Sequence, residues 1–244
     1  MASKGIALIL GAGSNVGQAL SSTFSQAGYK VALVSRSAKQ SSSATQVSIA
    51  ADLTNPDSIP PIFDSVRKSL GADPNIVIYN AAALTPPSDA ANLFSIDIAK
   101  FESDLRLNST SAYVAAREAV AGFEKLDKSL SKVFIYTGNW LNAVTMPNPV
   151  YVTLGSGKSA AASWIGAASV YYKEKGYGFY FADERTPEGK AIGGAISGPA
   201  HAEVYLQLAD GKVDAPWHTT FVAGKGIVDF PETRKAYIDN YVDK

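Results

Sequence analysis

Three glycines near the start of the chain have the spacing needed to hold a phosphate group. Gly11 and Gly13 follow the apolar run 6–10, and Gly17 comes four residues after Gly13. Glycine permits a tight turn at Gly11, close approach of phosphates at Gly13, and close packing of a following helix at Gly17. The start of that helix would present N–H groups and a positive end to the anion. The pattern predicts a dinucleotide-binding turn; the alternative is an ordinary glycine-rich turn.

The end of the next apolar run indicates which dinucleotide would be bound. An acid at this point binds the ribose 2′-hydroxyl of NAD, whereas an arginine accommodates the 2′-phosphate of NADP. The chain has Ser35, Arg36 and Ser37 here and no acid. The planar guanidinium of Arg36 suits a phosphate, and both serines can donate hydrogen bonds. The pattern favours NADP(H); the alternative for Arg36 is a solvated surface side chain.

Short apolar runs alternate with helical patterns, and these elements must position the turn. Strands are expected at 6–10, 29–35, 46–50, 76–79, 132–136, 177–182 and 219–222. Helical segments are expected at 16–27, 57–70, 96–126, 158–175 and 200–208. This alternation predicts an α/β fold, a doubly wound (Rossmann) parallel sheet of about seven strands with helices on both faces. We expect a single domain over 1–244, with a surface loop at 35–45 and a short C-terminal extension at 231–244, which we interpret as a final helix.

Composition excludes several classes of function. The chain has no cysteine, which excludes disulfides, thiolate catalysis and cysteine-based zinc sites, and its two histidines make a metal site unexpected. Its 22 basic residues balance 22 acidic ones, which gives no basis for a nucleic-acid or membrane partner. No apolar run reaches the roughly 18 residues of a membrane span, and the N-terminal run is too short for a signal peptide. A cytoplasmic protein is expected.

Further motifs give the chain a resemblance to the short-chain dehydrogenase/reductase family over nearly its full length. Asp52-Leu53 is similar to the pair that contacts adenine, 79–82 to the family's Asn-Asn-Ala-Gly stretch, and Asn108 to the tetrad asparagine. Asn15 replaces the middle glycine of the family's first turn. Taken with the turn itself, the resemblance implies a set of cofactor contacts. They are Gly11, Gly13, Ser14, Asn15, Val16, Gly17, Ser35, Arg36, Ser37, Asp52, Leu53, Asn80, Ala81, Ala82, Lys158 and Thr186.

The catalytic residues of the family are matched less well, which indicates a divergent branch. The family places a tyrosine, which exchanges a proton with substrate, four residues before a lysine that holds the nicotinamide ribose. Lys158 is similar to that lysine, but Leu154 stands at the tyrosine position. The nearest upstream tyrosine is Tyr151, and Gly155 and Gly157 between them would let the chain bulge. Tyr151 is therefore the proton donor, an aromatic that faces the substrate, or a packing residue.

The family's catalytic serine is also missing after the fifth predicted strand. Thr137, Asn139 or Asn142 would be able to polarise a carbonyl there, or the segment is a loop with turn-forming asparagines. By resemblance, Asn108 maintains a water relay beside Lys158. The residues expected to act in catalysis are Tyr151, Lys158, Asn108, Thr137 and Asn139, with no metal.

The segment after the sixth predicted strand carries charges where the family has a Pro-Gly turn. Asp183, Glu184 and Arg185 are catalytic acids or substrate clamps, or else a solvated, self-paired loop. The resemblance gives Thr186 a contact with the nicotinamide carboxamide. The glycines of the stretch 186–199 predict a small, mobile lid.

These observations leave three functions open. The first is an NADP(H)-dependent oxidoreductase that reduces a carbonyl, imine or activated alkene of a small organic molecule, with imines and alkenes favoured because they need less acid assistance. The second is a non-redox enzyme of the same fold, such as a cyclase, isomerase or dehydratase, and the third is an NADP-binding regulator. The resemblance also implies a homodimer or homotetramer built on the helices at 99–126 and 158–175.

Overall fold

A computed structural model of the chain describes residues 4–38 and 41–233, which fold as helices around one sheet. The strands are β1 (Ile6–Leu10), β2 (Lys30–Ser35), β3 (Ser41–Ser42), β4 (Gln46–Ala50), β5 (Ile76–Tyr79), β6 (Lys132–Thr137), β7 (Tyr177–Arg185), β8 (His218–Val222) and β9 (Gly226–Ile227). The α-helices are α1 (Val16–Gln26), α2 (Ile59–Leu70), α3 (Ile98–Leu105), α4 (Ser111–Phe123), α5 (Val152–Tyr171) and α6 (Gly198–Ala209). A π-helical turn, Arg106–Thr110, joins α3 to α4.

The expected doubly wound sheet is confirmed, in the order β3-β4-β2-β1-β5-β6-β7-β8-β9. It has nine strands rather than about seven because β3 and β9, of two residues each, pair antiparallel at the two edges. Such short strands have no apolar pattern, and β3 lies in the segment expected to be a loop. The remaining pairs are parallel. The strand order reverses between β1 and β5, so a crevice opens at their carboxyl ends.

Helices cover both faces of the sheet and enclose two apolar layers. On one face α2, α4 and α5 contribute Phe63, Phe123 and Ile165. On the other face α1 and α6 contribute Phe24 and Tyr205. All five residues of β1 are buried, as its unbroken apolar run predicts for a central parallel strand.

Two element boundaries differ from the sequence expectation on the side of the sheet that concerns function. Helix α5 begins at Val152, six residues before the predicted start, directly after a 3-10 turn at Pro149–Tyr151. Strand β7 continues three residues beyond Ala182. At the C-terminus only the 3-10 turn Pro231–Thr233 is described, and the rest of the predicted extension, 234–244, lies outside the described residues. Within those described residues, no helix combines the length and apolar character of a membrane span.

Candidate active site

A cleft of about 830 Å³ opens at the carboxyl ends of β1, β2, β4 and β5. Its volume lies within the range of small-molecule and cofactor sites. Most of the predicted cofactor contacts line it. They are Gly11, Gly13, Ser14, Ser35, Arg36, Ser37, Asp52, Leu53, Asn80, Ala81 and Ala82. The sheet order thus brings together segments that are far apart in sequence.

The glycine turn at one wall of this cleft has the shape that a pyrophosphate needs. Gly11 has a φ of 96°, and a Cβ there would lie 2.5 Å from the backbone nitrogen of Ala81. A Cβ on Gly17 would lie 2.6 Å from backbone carbons of Ala12, so α1 approaches the turn closely. A Cβ on Gly13 would meet nothing within 4 Å, which leaves open space on the cleft side. No side chain caps α1 and its first turn has no acid, so its N-terminus suits an anion.

Arg36 and Asp52 lie at the opposite wall of the cleft, beyond the ends of β2 and β4. Asp52 accepts hydrogen bonds from the backbone nitrogen and the hydroxyl of Thr54, at 3.0 and 2.9 Å. These two bonds, followed by the charge of Arg36, hold the pKa of Asp52 below its usual range. Arg36 is exposed at the cleft and has no ion pair within 4.0 Å in the described part of the chain. Its guanidinium is therefore available to a ligand.

The other predicted cofactor contacts do not line the cleft. The side chain of Asn15 is turned away from it, and its Nδ2 donates to the carbonyl of Ile196 at 2.9 Å. Val16 is buried in the apolar layer beneath α1. Thr186 closes a tight turn, in which its backbone nitrogen donates to the carbonyl of Lys190 at 2.9 Å. Asn15 and Thr186 therefore organise the polypeptide around the site.

A chain of hydrogen bonds connects the glycine turn with the predicted catalytic residues. Asn80 donates to the carbonyl of Gly11 at 2.9 Å and accepts from the hydroxyl of Thr137 at 2.9 Å. The same Thr137 hydroxyl accepts from Tyr205 at 3.0 Å. Lys158 Nζ donates to the Thr137 carbonyl at 2.6 Å. The end of β6 is thereby fixed against β1, β5, α5 and α6.

Lys158 is almost completely buried, with 3% of its surface exposed. Its Nζ lies 4.4 Å from the ring centroid of Tyr136, over the aromatic face. Burial lowers the pKa of Lys158 to about 7, and the negative charge of Asp183 only partly opposes this effect. The ammonium group is thus easily neutralised, unlike a surface lysine.

Asn108 also belongs to this region, in the π-helical turn between α3 and α4. Its amide oxygen accepts from the backbone nitrogen of Ala83 at 2.9 Å, and its amide nitrogen donates to the Ala83 carbonyl at 2.8 Å. The carbonyl of Asn108 accepts from the Tyr136 hydroxyl at 2.6 Å. Asn108 therefore fixes the segment after β5, and its amide is engaged with the backbone rather than turned to the Lys158 ammonium.

Tyr151 lines a second cavity, of about 400 Å³, between α5 and the 3-10 turn Trp140–Asn142, and Asn139 directly precedes that turn. Asn139 caps that turn, because its Oδ1 accepts from the backbone nitrogen of Leu141 at 3.2 Å. The cavity is lined by Leu141, Val144, Thr145, Met146, Tyr151, Val152, Gly155, Ser156 and Ser159. This set contains hydroxyl groups and apolar side chains but no formal charge at neutral pH.

The 3-10 turn beside this cavity holds polar groups with no protein partner in the described ranges. They are the Trp140 indole nitrogen and both side-chain polar atoms of Asn142, all buried. A buried amide without hydrogen bonds is costly unless water or a ligand satisfies it. Within the part of the chain described, Asn142, considered from the sequence as a carbonyl-polarising residue, thus has unused hydrogen-bonding capacity on both side-chain polar atoms, beside the unpartnered Trp140 indole.

The expectation of a solvated loop at 183–185 is wrong, because β7 continues through these residues and buries them. Arg185 Nε donates to Asp183 Oδ2 at 2.6 Å, and His218 Nε2 lies 3.6 Å from the same oxygen. Arg185 also donates to the carbonyl of Gly189 at 3.1 Å and to the hydroxyl of Thr233 at 2.9 Å. Buried charges of this kind persist only when paired and hydrogen-bonded.

A second buried acid lies on the other face of β7. Glu184 Oε2 accepts from the backbone nitrogen of Ser197 at 2.8 Å and lies 3.4 Å from Nδ1 of His201. Burial raises the pKa of Glu184 and lowers that of His201. The sequence contained one signal for this cluster: His201 lies in the predicted helix 200–208, and His218 directly precedes the predicted strand 219–222. No group of three or more His, Cys, Asp or Glu side chains suited to a metal occurs in the part of the chain described.

Comparison with known proteins agrees with this architecture. Residues 5–176 match the family model described as short chain dehydrogenase. The short chain dehydrogenase/reductase dmxR12 of Cryptosporiopsis sp. (strain 8999) is 42% identical over 239 residues, covering 94% of this chain and 96% of the relative.

Solved structures resemble the fold at low sequence identity. A 3-ketoacyl-(acyl-carrier-protein) reductase from Brucella melitensis, complexed with NADH, has a TM-score of 0.73 at 16% identity, over 91% of this chain and 98% of that one. A short chain dehydrogenase from Burkholderia cenocepacia J2315, in complex with NADP, has a TM-score of 0.68 at 17% identity, over 85% of this chain and 91% of that one.

Proposed function

The chain belongs to the short chain dehydrogenase family, and from that premise we propose that it is an NADP(H)-dependent oxidoreductase acting on a small organic molecule. The observation that carries the proposal is the large cleft, which combines the glycine turn at one wall with Arg36 at the other. The relatives solved with NADP or NADH are consistent with a nicotinamide cofactor there.

Different residues of the cleft would contact different parts of the cofactor. The turn at Gly11 and Gly13 would hold the pyrophosphate, and Arg36 with its neighbouring serines would hold the 2′-phosphate. Leu53 and Ala81 provide apolar surface for the adenine. When bound, the nicotinamide supplies the hydride, and the protein orients it.

The cavity beside Tyr151 is the best candidate for the substrate site. It lies between α5 and the 3-10 turn after β6, the two segments in which the family carries its catalytic side chains. Because no charged residue lines it, the substrate would be uncharged and largely apolar. We assign to Tyr151 the role of proton donor toward the carbonyl or enone oxygen, or the imine nitrogen, of the substrate. Asn142, buried in the adjacent 3-10 turn without a protein partner for its amide among the described residues, is assigned a hydrogen bond to the same substrate atom.

A screen for substrate-dependent oxidation of NADPH tests this function. Neutral aryl ketones, cyclic imines and enones are compared with carboxylated analogues of the same skeleton. We expect turnover with neutral members and little with the anions. Tyr151→Phe should reduce kcat at least about a hundredfold on an accepted ketone if the phenol gives the proton, since general acid catalysis supplies about 10²–10⁴. Full turnover by Tyr151→Phe would exclude that role.

Two observations favour a second candidate, a non-redox enzyme of this fold. Leu154 occupies the family's tyrosine position, and the Lys158 ammonium is buried against the Thr137 carbonyl. If Lys158 is the counterpart of the family's lysine, the family's adjacent acid and lysine would not be assembled here. This candidate predicts conversion of a substrate without any change in NADPH absorbance, whereas a regulator would bind NADPH and convert nothing.

We also propose that the protein acts as a homodimer or homotetramer through α4 and α5. Tyr113 is 57% exposed and packs edge-on against Trp164, and Val170 and Tyr171 are exposed at the end of α5. Neighbouring apolar side chains on a helix pair are typical of a contact between subunits. Light scattering after size-exclusion chromatography measures the mass directly, and a monomer at micromolar concentration would refute the proposal.

A further inference from the structure

Asn15 bridges the glycine turn and a segment far away in sequence. We call residues 186–197, between β7 and α6, the lid segment. Asn15 Nδ2 donates to the Ile196 carbonyl at 2.9 Å, and Asn15 Oδ1 accepts from the backbone nitrogen of Gly198 at 3.1 Å. One side-chain amide thus uses both its donor and its acceptor at the junction between the lid segment and α6. The side chain contributes nothing to the lining of the cleft.

Gly198 allows the Asn15 amide to approach because it has no side chain. A Cβ on Gly198 would lie 2.6 Å from Asn15 Oδ1, so a glycine is required for the two segments to approach this closely. The backbone nitrogen of the adjacent Ser197 donates to Glu184 Oε2 at 2.8 Å. The Ser197 hydroxyl caps α6 by accepting from the backbone nitrogen of Ala200. The end of the lid segment is therefore hydrogen-bonded to both Asn15 and Glu184.

We propose that Asn15 is a positioning residue that couples the binding of the cofactor pyrophosphate to the ordering of the end of the lid segment. The inference rests on the proposed function, because it assumes that the glycine turn holds a pyrophosphate. Asn15 directly follows Ser14, which lines the cleft, and directly precedes α1. A ligand that orders the turn would thereby order the amide that holds Ile196 and Gly198, and the reverse coupling is equal by linkage.

The first test needs no cofactor. Amide hydrogen exchange is measured at Gly198 in the native chain and in Asn15→Gly, which removes both bonds and installs the glycine of the family motif. The exchange rate should rise about tenfold, as expected for the loss of two neutral hydrogen bonds. Gly198→Ala should raise exchange of the neighbouring amides as well, because its Cβ displaces Asn15 Oδ1.

Gly194→Ala is the matched control within the lid segment. Gly194 has an ordinary backbone conformation, and a Cβ there would meet nothing within 4 Å. Exchange at 196–198 should therefore stay at the native rate. If Asn15→Gly also stays at the native rate, Asn15 does not hold the lid segment and the inference is wrong.

The second test adds saturating NADPH. In the native chain NADPH should slow exchange both at the glycine turn and at 196–198, by about threefold or more. In Asn15→Gly the turn should remain protected while protection at 196–198 is lost. Equal protection of 196–198 in both proteins would overturn the coupling. Absence of protection at the turn in the native chain would instead overturn the proposed function, and the cofactor-free comparison would still decide whether Asn15 holds the lid segment.

Discussion

Lys158 has an environment that differs from the one its sequence position suggests. The family resemblance implies a lysine directed at a nicotinamide ribose, but Nζ here is buried against Thr137 and the ring of Tyr136. The low polarity of this site disfavours the ammonium form, so the pKa falls to about 7. A lysine that loses its proton near neutral pH gives the site a charge that depends on pH.

This pKa predicts how stability changes with pH. Between pH 7 and about pH 10 the folded chain binds fewer protons at Lys158 than the unfolded chain does. The free energy of unfolding should therefore rise with pH in this window, by up to about 1.4 kcal/mol per pH unit. The free-energy cost of burying the Lys158 charge is fully present below pH 7 and disappears above the pKa of Lys158 in the unfolded chain.

Urea denaturation of the native chain and of Lys158→Met at several pH values isolates this contribution, because other titrating groups are common to both. The native chain should gain stability relative to Lys158→Met as pH rises from 7 to 9.5. Parallel profiles would mean that Lys158 titrates as an ordinary lysine.

Arg36 is expected to determine the selectivity of the cleft for NADP(H) over NAD(H). Arg36→Ala should weaken the binding of NADPH by about tenfold to a hundredfold, because a charge-assisted contact is lost. The binding of NADH should weaken by less than about twofold. Arg117→Ala, at an exposed position on α4, serves as control and should alter neither affinity. Fluorescence titrations of the reduced cofactors measure all four values, and an equal loss for both cofactors would show that Arg36 does not read the 2′-phosphate.

At the scale of elements, two of the three glycines of α5, Gly155 and Gly157, have different surroundings. A Cβ on Gly157 would lie 2.3 Å from Cβ of Asn108, whereas a Cβ on Gly155 would lie 3.7 Å from Leu141. Gly157→Ala should therefore cost about 1–3 kcal/mol through overpacking. Gly155→Ala should be neutral or stabilise by up to about 1 kcal/mol, because alanine favours a helix. Urea denaturation measures both, and equal effects would mean that the packing of α5 on Asn108 is looser than described.

The elements also show where sequence reasoning succeeds and where it stops. β1 and β5 were predictable from unbroken apolar runs, because a central parallel strand is buried on both faces. The last three residues of β7 were not, because charged side chains are seldom fully buried. Asp183 and Arg185 are buried with His218, Gly189 and Thr233 as partners, and Glu184 with Ser197 and His201. These partners are distant in sequence or follow a turn, so no local pattern indicates the pairing.

At the scale of the molecule, the strand order places the site. The alternation of strands and helices was sufficient to predict a doubly wound sheet, and with it a crevice beyond the glycine turn. The cleft indeed collects the glycine turn, Arg36 and Asp52. The sequence did not predict that Asn15 turns from the cleft to the lid segment, because its partners Ile196 and Gly198 approach only when α6 packs on α1.

The cleft's role as a dinucleotide site is tested most directly by titrating NADPH into the native chain and into Gly13→Val, followed by nicotinamide fluorescence. Gly13 has an ordinary φ and an added Cβ would touch nothing, so valine should fold normally yet project into the pyrophosphate space. We predict saturable binding to the native chain and at least about tenfold weaker binding to Gly13→Val at an unchanged melting temperature, since a side chain would displace the anion from its N–H donors. No saturable binding to the native chain, or equal binding by both proteins, would contradict a pyrophosphate held on the glycine turn.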